Sequence, residues 1–199
     1  MALAAPASLP DKSIMSPRQT SCTAPGRVTA PVTYNIYPDT PDKSEPSTSY
    51  IDIQNLSDRE EREQVVVFKG IPADAKVCTL GWIQAVTAER EFTVEENGST
   101  KVKAFYEFPS PPDCGTDEEE EVTVNYGVIE PLSSASTALE LSPDFTFWND
   151  TPSAVNHTAG TVPCAEAIYL HVRINSINGL GDVLFKQDDK NGFVMGYNC

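Results

Sequence analysis

In the stretch Ala167-Ile168-Tyr169-Leu170-His171-Val172-Arg173-Ile174, apolar and polar side chains alternate over the whole length. This alternation predicts a β-strand, because successive side chains of a strand point to opposite faces of the sheet. One face carries aliphatic side chains that suit a core. The other carries Tyr169, His171 and Arg173, and we predict that this face is exposed to solvent.

Nine further short segments carry the same alternation or a short buried apolar run. No long stretch has the 3.6-residue period of a helix. About ten short strands with turn residues between them are typical of a β-sandwich or jelly roll. We therefore predict an all-β, antiparallel, jelly-roll-like sandwich with almost no helix. The nine segments are residues 32–37, 50–54, 64–69, 77–83, 101–108, 122–126, 145–148, 183–186 and 193–197.

The last three strands are predicted to form a meander. Asn191-Gly192 is a strong hairpin signal between the last two strands. In such a meander, Lys186 and Val194 extend the exposed face of the first strand. The meander also places Cys164 and Cys199 near opposite ends of the sheet, about 20–25 Å apart at about 3.3 Å per residue. A disulfide between these two cysteines is therefore disfavoured.

Length and charge limit the organisation and the partners. A chain of 199 residues suits one domain. We predict a flexible tail over residues 1–27 and a single sandwich over 28–199, with an acidic insertion near 109–121. The net charge of −15 argues against nucleic-acid binding and against an anionic membrane surface. No apolar window of about 18 residues is present, so we expect no membrane span.

The five cysteines are widely spaced and form no Cys-x-x-Cys pair or Cys/His cluster. This spacing favours disulfides in an oxidising compartment over a metal site, and we expect neither a metal nor a cofactor. We predict a Cys78–Cys199 disulfide. Cys164 would then pair with Cys114 or Cys22, and one thiol would be left over.

Four Asn-x-Ser/Thr sequons lie in polar, turn-like stretches. Such sequons are acceptors for N-linked glycans in secreted proteins. Together with the cysteines, they predict a glycosylated protein that is secreted and is extracellular or associated with a cell wall. The acceptor residues are Asn55, Asn97, Asn149 and Asn156.

Catalytic motifs are scarce. The chain has two histidines and no Gly-x-Ser-x-Gly motif, so little acid–base machinery is available near neutral pH. The enzymatic alternative is a glycoside-active protein with a carboxylate pair. Its candidate acids lie near strand-like segments and are Glu91, Glu140, Asp144 and Asp150. A non-catalytic module is the stronger prediction.

The ending GDVLFKQDDKNGFVMGYNC, at residues 181–199, resembles the closing pattern of the fungal "But two" C-terminal domain family. The family takes its name from a ubiquitin-like-protein-binding protein. Other parts of the chain agree with this pattern, so the resemblance covers about residues 31–199. They are residues 31–38, 66–72 with 78–80, 147–149, and Cys164 before Ala167–Ile174. It implies a secreted or cell-wall-associated fungal protein, and it carries over no catalytic residues.

The sequence thus predicts a secreted, non-catalytic module that binds a cell-wall glycan or an extracellular protein. An effector that acts on host proteins is one form of this function. The predicted site is the stripe of Tyr169, His171 and Arg173, spaced about 6–7 Å apart along one strand. The tyrosine ring can stack on a sugar, while the histidine and arginine donate hydrogen bonds to hydroxyl groups.

Overall fold

A computed structural model describes residues 21–108 and 123–199. Within these ranges the chain forms twelve strands, one α-helix and two short 3-10 helices. The strands are β1 (Gly26–Val28), β2 (Val32–Ile36), β3 (Tyr50–Asn55), β4 (Glu63–Lys69), β5 (Val77–Gln84), β6 (Phe92–Glu96), β7 (Thr100–Phe105), β8 (Glu140–Leu141), β9 (Val155–Val162), β10 (Ala167–Ile174), β11 (Gly181–Lys186) and β12 (Gly192–Asn198). The helix is α1 (Tyr126–Ala135), and the 3-10 helices are Thr87–Glu89 and Ser176–Asn178.

The strands form three antiparallel sheets. A five-stranded sheet has the order β2-β4-β10-β7-β8, a four-stranded sheet has the order β1-β12-β5-β9, and a three-stranded sheet has the order β3-β11-β6. One hydrophobic core contains side chains from all three, among them Leu170 of the five-stranded sheet, Leu80 of the four-stranded sheet and Phe185 of the three-stranded sheet. The prediction of an antiparallel β-sandwich is therefore confirmed.

The five-stranded sheet is covered on both faces. In β4, Val66 and Phe68 belong to the main core, whereas Val65 and Val67 belong to a second cluster with Ile129 of α1. The apolar run of β4 is thus explained by burial on both sides, which removes the usual alternation with polar residues. The helix is the element that adds this second layer.

The start of α1 corrects the strand that we predicted over residues 122–126. Asn125 is the N-cap, and its side-chain oxygen accepts a hydrogen bond from the Val128 backbone N–H at 3.0 Å. Such a cap satisfies one of the free N–H groups of the first helical turn. The alternation of Val124, Asn125 and Tyr126 therefore marks a helix entry, and Tyr126 begins the helix.

The predicted C-terminal meander is wrong, because β10, β11 and β12 lie in three different sheets. A turn does form after β11, and the Asp188 N–H donates to the Asn191 carbonyl at 2.9 Å. The two flanking strands then separate instead of pairing. The buried Gln187 side chain bridges the gap: its Nε2 donates to the Phe193 carbonyl at 3.1 Å, and its Oε1 accepts from the Phe193 N–H at 2.9 Å.

Two disulfides join Cys22 to Cys199 and Cys78 to Cys164, with Cα–Cα distances of 5.4 and 5.2 Å. The predicted Cys78–Cys199 pair is therefore wrong, as are both predicted partners of Cys164. Strand register explains the observed pairs. Cys78 lies opposite Val162 of β9, and Cys164 follows Val162 by two residues. Strand β1 runs antiparallel to β12, so Cys22, which precedes β1, lies near Cys199 at the end of β12. Cys114 lies outside the described residues.

Residues 145–148, predicted as a strand, form a turn in which the Trp148 N–H donates to the Phe145 carbonyl at 3.0 Å. The predicted acidic insertion falls on residues outside the described ranges, as does most of the predicted tail. Strand β1 begins at Gly26. Of the helices in the described residues, none is long and apolar enough to cross a membrane.

Candidate functional site

His171, predicted to be exposed, is 4% exposed beneath α1. Its Nε2 lies 2.5 Å from Glu63 Oε2 of β4, and its Nδ1 lies 3.0 Å from Ser133 Oγ of α1. One ring nitrogen donates to the carboxylate, and the serine hydroxyl can rotate to suit the other. This histidine therefore joins two strands to the covering helix, and it has no surface to offer a ligand.

The buried Ser133, His171 and Glu63 have the hydrogen-bonded order of a nucleophile, a base and an orienting acid. Catalysis also requires that a substrate reaches the nucleophile. All three residues are less than 5% exposed, so the Ser133 hydroxyl is closed to substrates. The arrangement acts instead as a buried polar clamp between the sheet and α1.

The other two residues of the predicted stripe are partly exposed. The Tyr169 ring stacks on Phe108 at a centroid distance of 4.6 Å and also packs against Phe105, and burial raises the pKa of its hydroxyl above 10.0. Arg173 Nη2 lies 3.4 Å from Glu140 Oε2. Lys186 and Val194, predicted to extend this face, lie in the other two sheets. The stripe is thus not a continuous exposed surface.

Three of the four acidic candidates make local contacts. Glu140 pairs with Lys101 at 3.1 Å as well as with Arg173, Glu91 accepts a hydrogen bond from the Tyr50 hydroxyl at 3.0 Å, and Asp144 accepts from the Thr146 N–H at 2.9 Å. The fourth, Asp150, is exposed. These contacts tie the carboxylates to separate strands and turns.

The four sequons differ in exposure. Asn156 is exposed in β9, whereas the other three acceptors are partly buried. Asn55 Nδ2 donates to Glu61 Oε1 at 3.1 Å, and Asn97 Nδ2 donates to the Gly179 carbonyl at 3.4 Å. Asn149 Oδ1 is fully buried. Of the four acceptors, Asn156 is therefore the one classed as exposed.

His157, the middle residue of the Asn156 sequon, points inward from β9. Its ring stacks on Trp82 and meets Trp148 edge-on, with centroid distances of 4.0 Å in both pairs. Trp148 packs against the main core. Burial lowers the pKa of His157 below its ordinary value of 6.5, because an apolar environment disfavours the charged imidazolium.

We expect this histidine to make stability depend on pH. Its folded-state pKa lies below the unfolded value, so its contribution is complete above about pH 6.5 and is lost as the pH falls from there towards the depressed pKa. Unfolding by urea at several pH values should show this loss in the wild type and less of it in His157→Phe. Parallel profiles for the two proteins would contradict the assignment.

A surface that the sequence did not predict lies at one end of the sandwich. Phe147 and Ile177 are 80% and 82% exposed, and Leu180 is 45% exposed. They belong to two loops on either side of the turn at residues 97–99. We call this surface the loop end, and define it as residues 97–99, 144–147 and 175–180.

Hydrogen bonds to the turn fix both loops. The Phe145 N–H donates to the Gly98 carbonyl and the Asn175 N–H to the Ser99 carbonyl, each at 2.9 Å, and the Asn97 N–H donates to the Leu180 carbonyl at 3.2 Å. Gly98 permits the close approach, because a Cβ there would lie 2.5 Å from the Thr146 nitrogen. The exposed apolar side chains thus project from backbone that is held in place.

The border of the loop end is acidic. Glu95 and Glu96 precede the turn and are exposed, and Asp144 is exposed beside Phe145. Arg59 neutralises part of this charge through Glu95, at 3.1 Å, and Asp182, at 2.9 Å. Burial, followed by the proximity of Asp52, raises the pKa of Asp182 above 3.8. The loop end therefore combines exposed apolar side chains with an acidic border.

In the described ranges, no group of three or more His, Cys, Asp or Glu side chains is placed to hold a metal ion. Comparison with known proteins gives no assignment: no protein-family model matches the chain, and no curated protein matches it. The loop end is therefore interpreted from its own geometry.

Proposed function

We propose that this protein is a secreted, non-catalytic module that binds an extracellular protein through the loop end. The observation that carries the proposal is the exposure of Phe147 and Ile177 on loops held by the turn at 97–99. Large exposed apolar side chains that cluster at one place mark interaction sites. Loops that are already ordered lose little conformational entropy on binding.

The chemistry of the loop end favours a protein over a glycan as the ligand. The Phe147 ring can stack on a sugar or fill an apolar pocket. Ile177 and Leu180 offer sugars neither a stacking ring nor a hydrogen bond, whereas they fit the apolar pockets of a protein interface. The acidic border and the net charge of −15 complement a basic rim around such a pocket. We therefore propose a partner with an apolar pocket surrounded by lysine or arginine residues.

The extracellular setting is supported by two disulfides and by four sequons. Disulfides persist in oxidising compartments and are rare in the cytosol. The resemblance of residues 181–199 to the fungal "But two" family supports the same setting, and we propose a fungal protein that is secreted or associated with the cell wall.

The double variant Phe147→Ser/Ile177→Ala tests the loop end. The wild-type protein is immobilised and exposed to fungal culture filtrate and, separately, to insoluble chitin and β-glucan. Each captured protein is identified and purified, and its Kd is measured against the wild type and the variant. We expect the double variant to weaken binding at least 10-fold, because exposed apolar anchors supply much of the affinity of an interface.

Leu139→Ser is the matched control, since Leu139 is 77% exposed but lies outside the loop end. Both variants should unfold at nearly the wild-type temperature, because neither removes a buried side chain. Equal affinity of wild type and double variant for every purified partner would refute the loop end as the site. Retention on polysaccharide alone would favour the glycan-binding alternative.

A further inference from the structure

Within residues 21–108 and 123–199, strand β9 is an outer strand with little intrinsic protection. It lies at the end of the four-stranded sheet, and its eight residues, Val155–Val162, include no Asp, Glu, Lys, Arg or Pro. A free strand edge can pair with another chain, and proteins usually block this pairing with charges, prolines, bulges or very short strands. Here the ladder with β5 contains one irregularity, between Leu80 and Gly81.

The other outer strands of the described sheets are each protected. Strands β1 and β8 have three and two residues, and β6 carries the exposed Glu95 and Glu96. Strand β2 is bridged by Thr48 through Thr33, and β3 is bridged by Arg62 through Gln54. Strand β9 is therefore the long, uncharged exception.

One of the four sequons, Asn156-His157-Thr158, lies in β9. Asn156 and Thr158 point outward and are exposed, whereas His157 between them packs on Trp82 and Trp148. A glycan on Asn156 extends into solvent without displacing a core contact. The other three acceptors are partly buried, and a glycan there must grow from a side chain that already contacts protein atoms.

We infer that Asn156 carries an N-linked glycan that covers the outer edge of β9 and prevents pairing with a second chain. The donor is an oligosaccharide linked to a polyprenyl pyrophosphate, supplied by the secretory pathway. The bond between the sugar's anomeric carbon and the pyrophosphate oxygen breaks, and a bond from that carbon to Asn156 Nδ2 forms. Nδ2 loses one proton, and the lipid pyrophosphate leaves. The inference rests on the secretion in the proposed function, and it is independent of the loop end.

The test uses the full chain secreted from a yeast host behind a heterologous signal sequence. Site occupancy is measured by peptide mapping after enzymatic release of the glycans. We expect more than about 90% occupancy at Asn156 and less than about 20% at each of the other three sequons. An unoccupied Asn156, or similar occupancy at all four sequons, would overturn the inference.

The covering role is tested by aggregation on mild heating. Asn156→Gln and Thr158→Ala each remove the sequon and should aggregate at least several-fold faster than the wild type. Protein trimmed to a single sugar by an endoglycosidase should behave like these variants, which separates loss of the glycan from loss of the side chain. Ser57→Ala, which removes the Asn55 sequon at an exposed position, is the matched control and should aggregate at the wild-type rate.

Aggregation at the wild-type rate by the Asn156→Gln, Thr158→Ala and trimmed proteins would overturn the covering role. Binding through the loop end should be unchanged in all of them. If Asn156 is glycosylated but Phe147→Ser/Ile177→Ala binds as the wild type does, the proposed binding site fails while this inference stands.

Discussion

Replacing His171 with alanine is expected to lower the free energy of unfolding by about 3–5 kcal/mol, because it leaves a buried carboxylate without its partner. Glu63 is 4% exposed, and His171 Nε2 lies 2.5 Å from its Oε2. Water cannot replace the lost partner without entering the layer beneath α1. Denaturation by urea, followed by tryptophan fluorescence, measures the effect.

Two further variants separate the clamp from simple packing. Ser133→Ala removes one hydrogen bond to His171 and should cost about 1 kcal/mol. The double variant Glu63→Leu/His171→Leu replaces both members of the pair with apolar side chains and should cost less than His171→Ala alone. If the double variant instead costs as much as the sum of the two single leucine variants, the two residues are not energetically coupled.

The core strands could be predicted from sequence because their side chains alternate with a period of two. Ala167–Ile174 does form a strand, and its aliphatic face does pack on the main core. What the alternation does not reveal is the environment of the polar face. A polar face with Tyr169, His171 and Arg173 is compatible with exposure to solvent and also with burial under a second layer. The helix that covers it lies more than 30 residues earlier in the chain.

That helix was difficult to predict from sequence. It has ten residues, contains Pro131, and has few strongly apolar side chains. Asn125 was the available signal, since asparagine is a favoured N-cap. Strand β9 was missed for a related reason: it contains few apolar side chains, so it shows no clear apolar alternation. Its polar residues and glycine are Asn156, Thr158, Gly160 and Thr161.

The disulfide pairing depends on sheet assignment, which the sequence did not determine. The meander assumed that consecutive strands pair, as they commonly do. Gly179, with a φ of +115°, helps the chain turn between β10 and β11, and Gln187 helps β11 separate from β12. The loop end was missed for a different reason: residues 145–148 were predicted to be a strand, whereas they form a turn.

Opening the Cys22–Cys199 disulfide should produce a destabilisation of similar size to the loss of His171. The disulfide closes a loop with a sequence separation of 177 residues. Loop-closure entropy gives such a crosslink about 5 kcal/mol, and native disulfides typically contribute about 2–5 kcal/mol. We therefore expect Cys22→Ser/Cys199→Ser to lose about 3–5 kcal/mol of unfolding free energy.

This loss should arise mainly in the unfolded chain, because Cys199 is exposed and Cys22 is only partly buried. The folded variant should keep the circular dichroism and fluorescence spectra of the wild type, while its urea midpoint falls. Asn198→Ser is the matched control: its side chain is exposed, and the Asn198 carbonyl still accepts the Lys76 N–H at 2.9 Å. It should stay within about 0.5 kcal/mol of the wild type. A loss below about 1 kcal/mol in the double serine variant would mean that the unfolded chain gains little freedom when residues 22 and 199 are no longer linked.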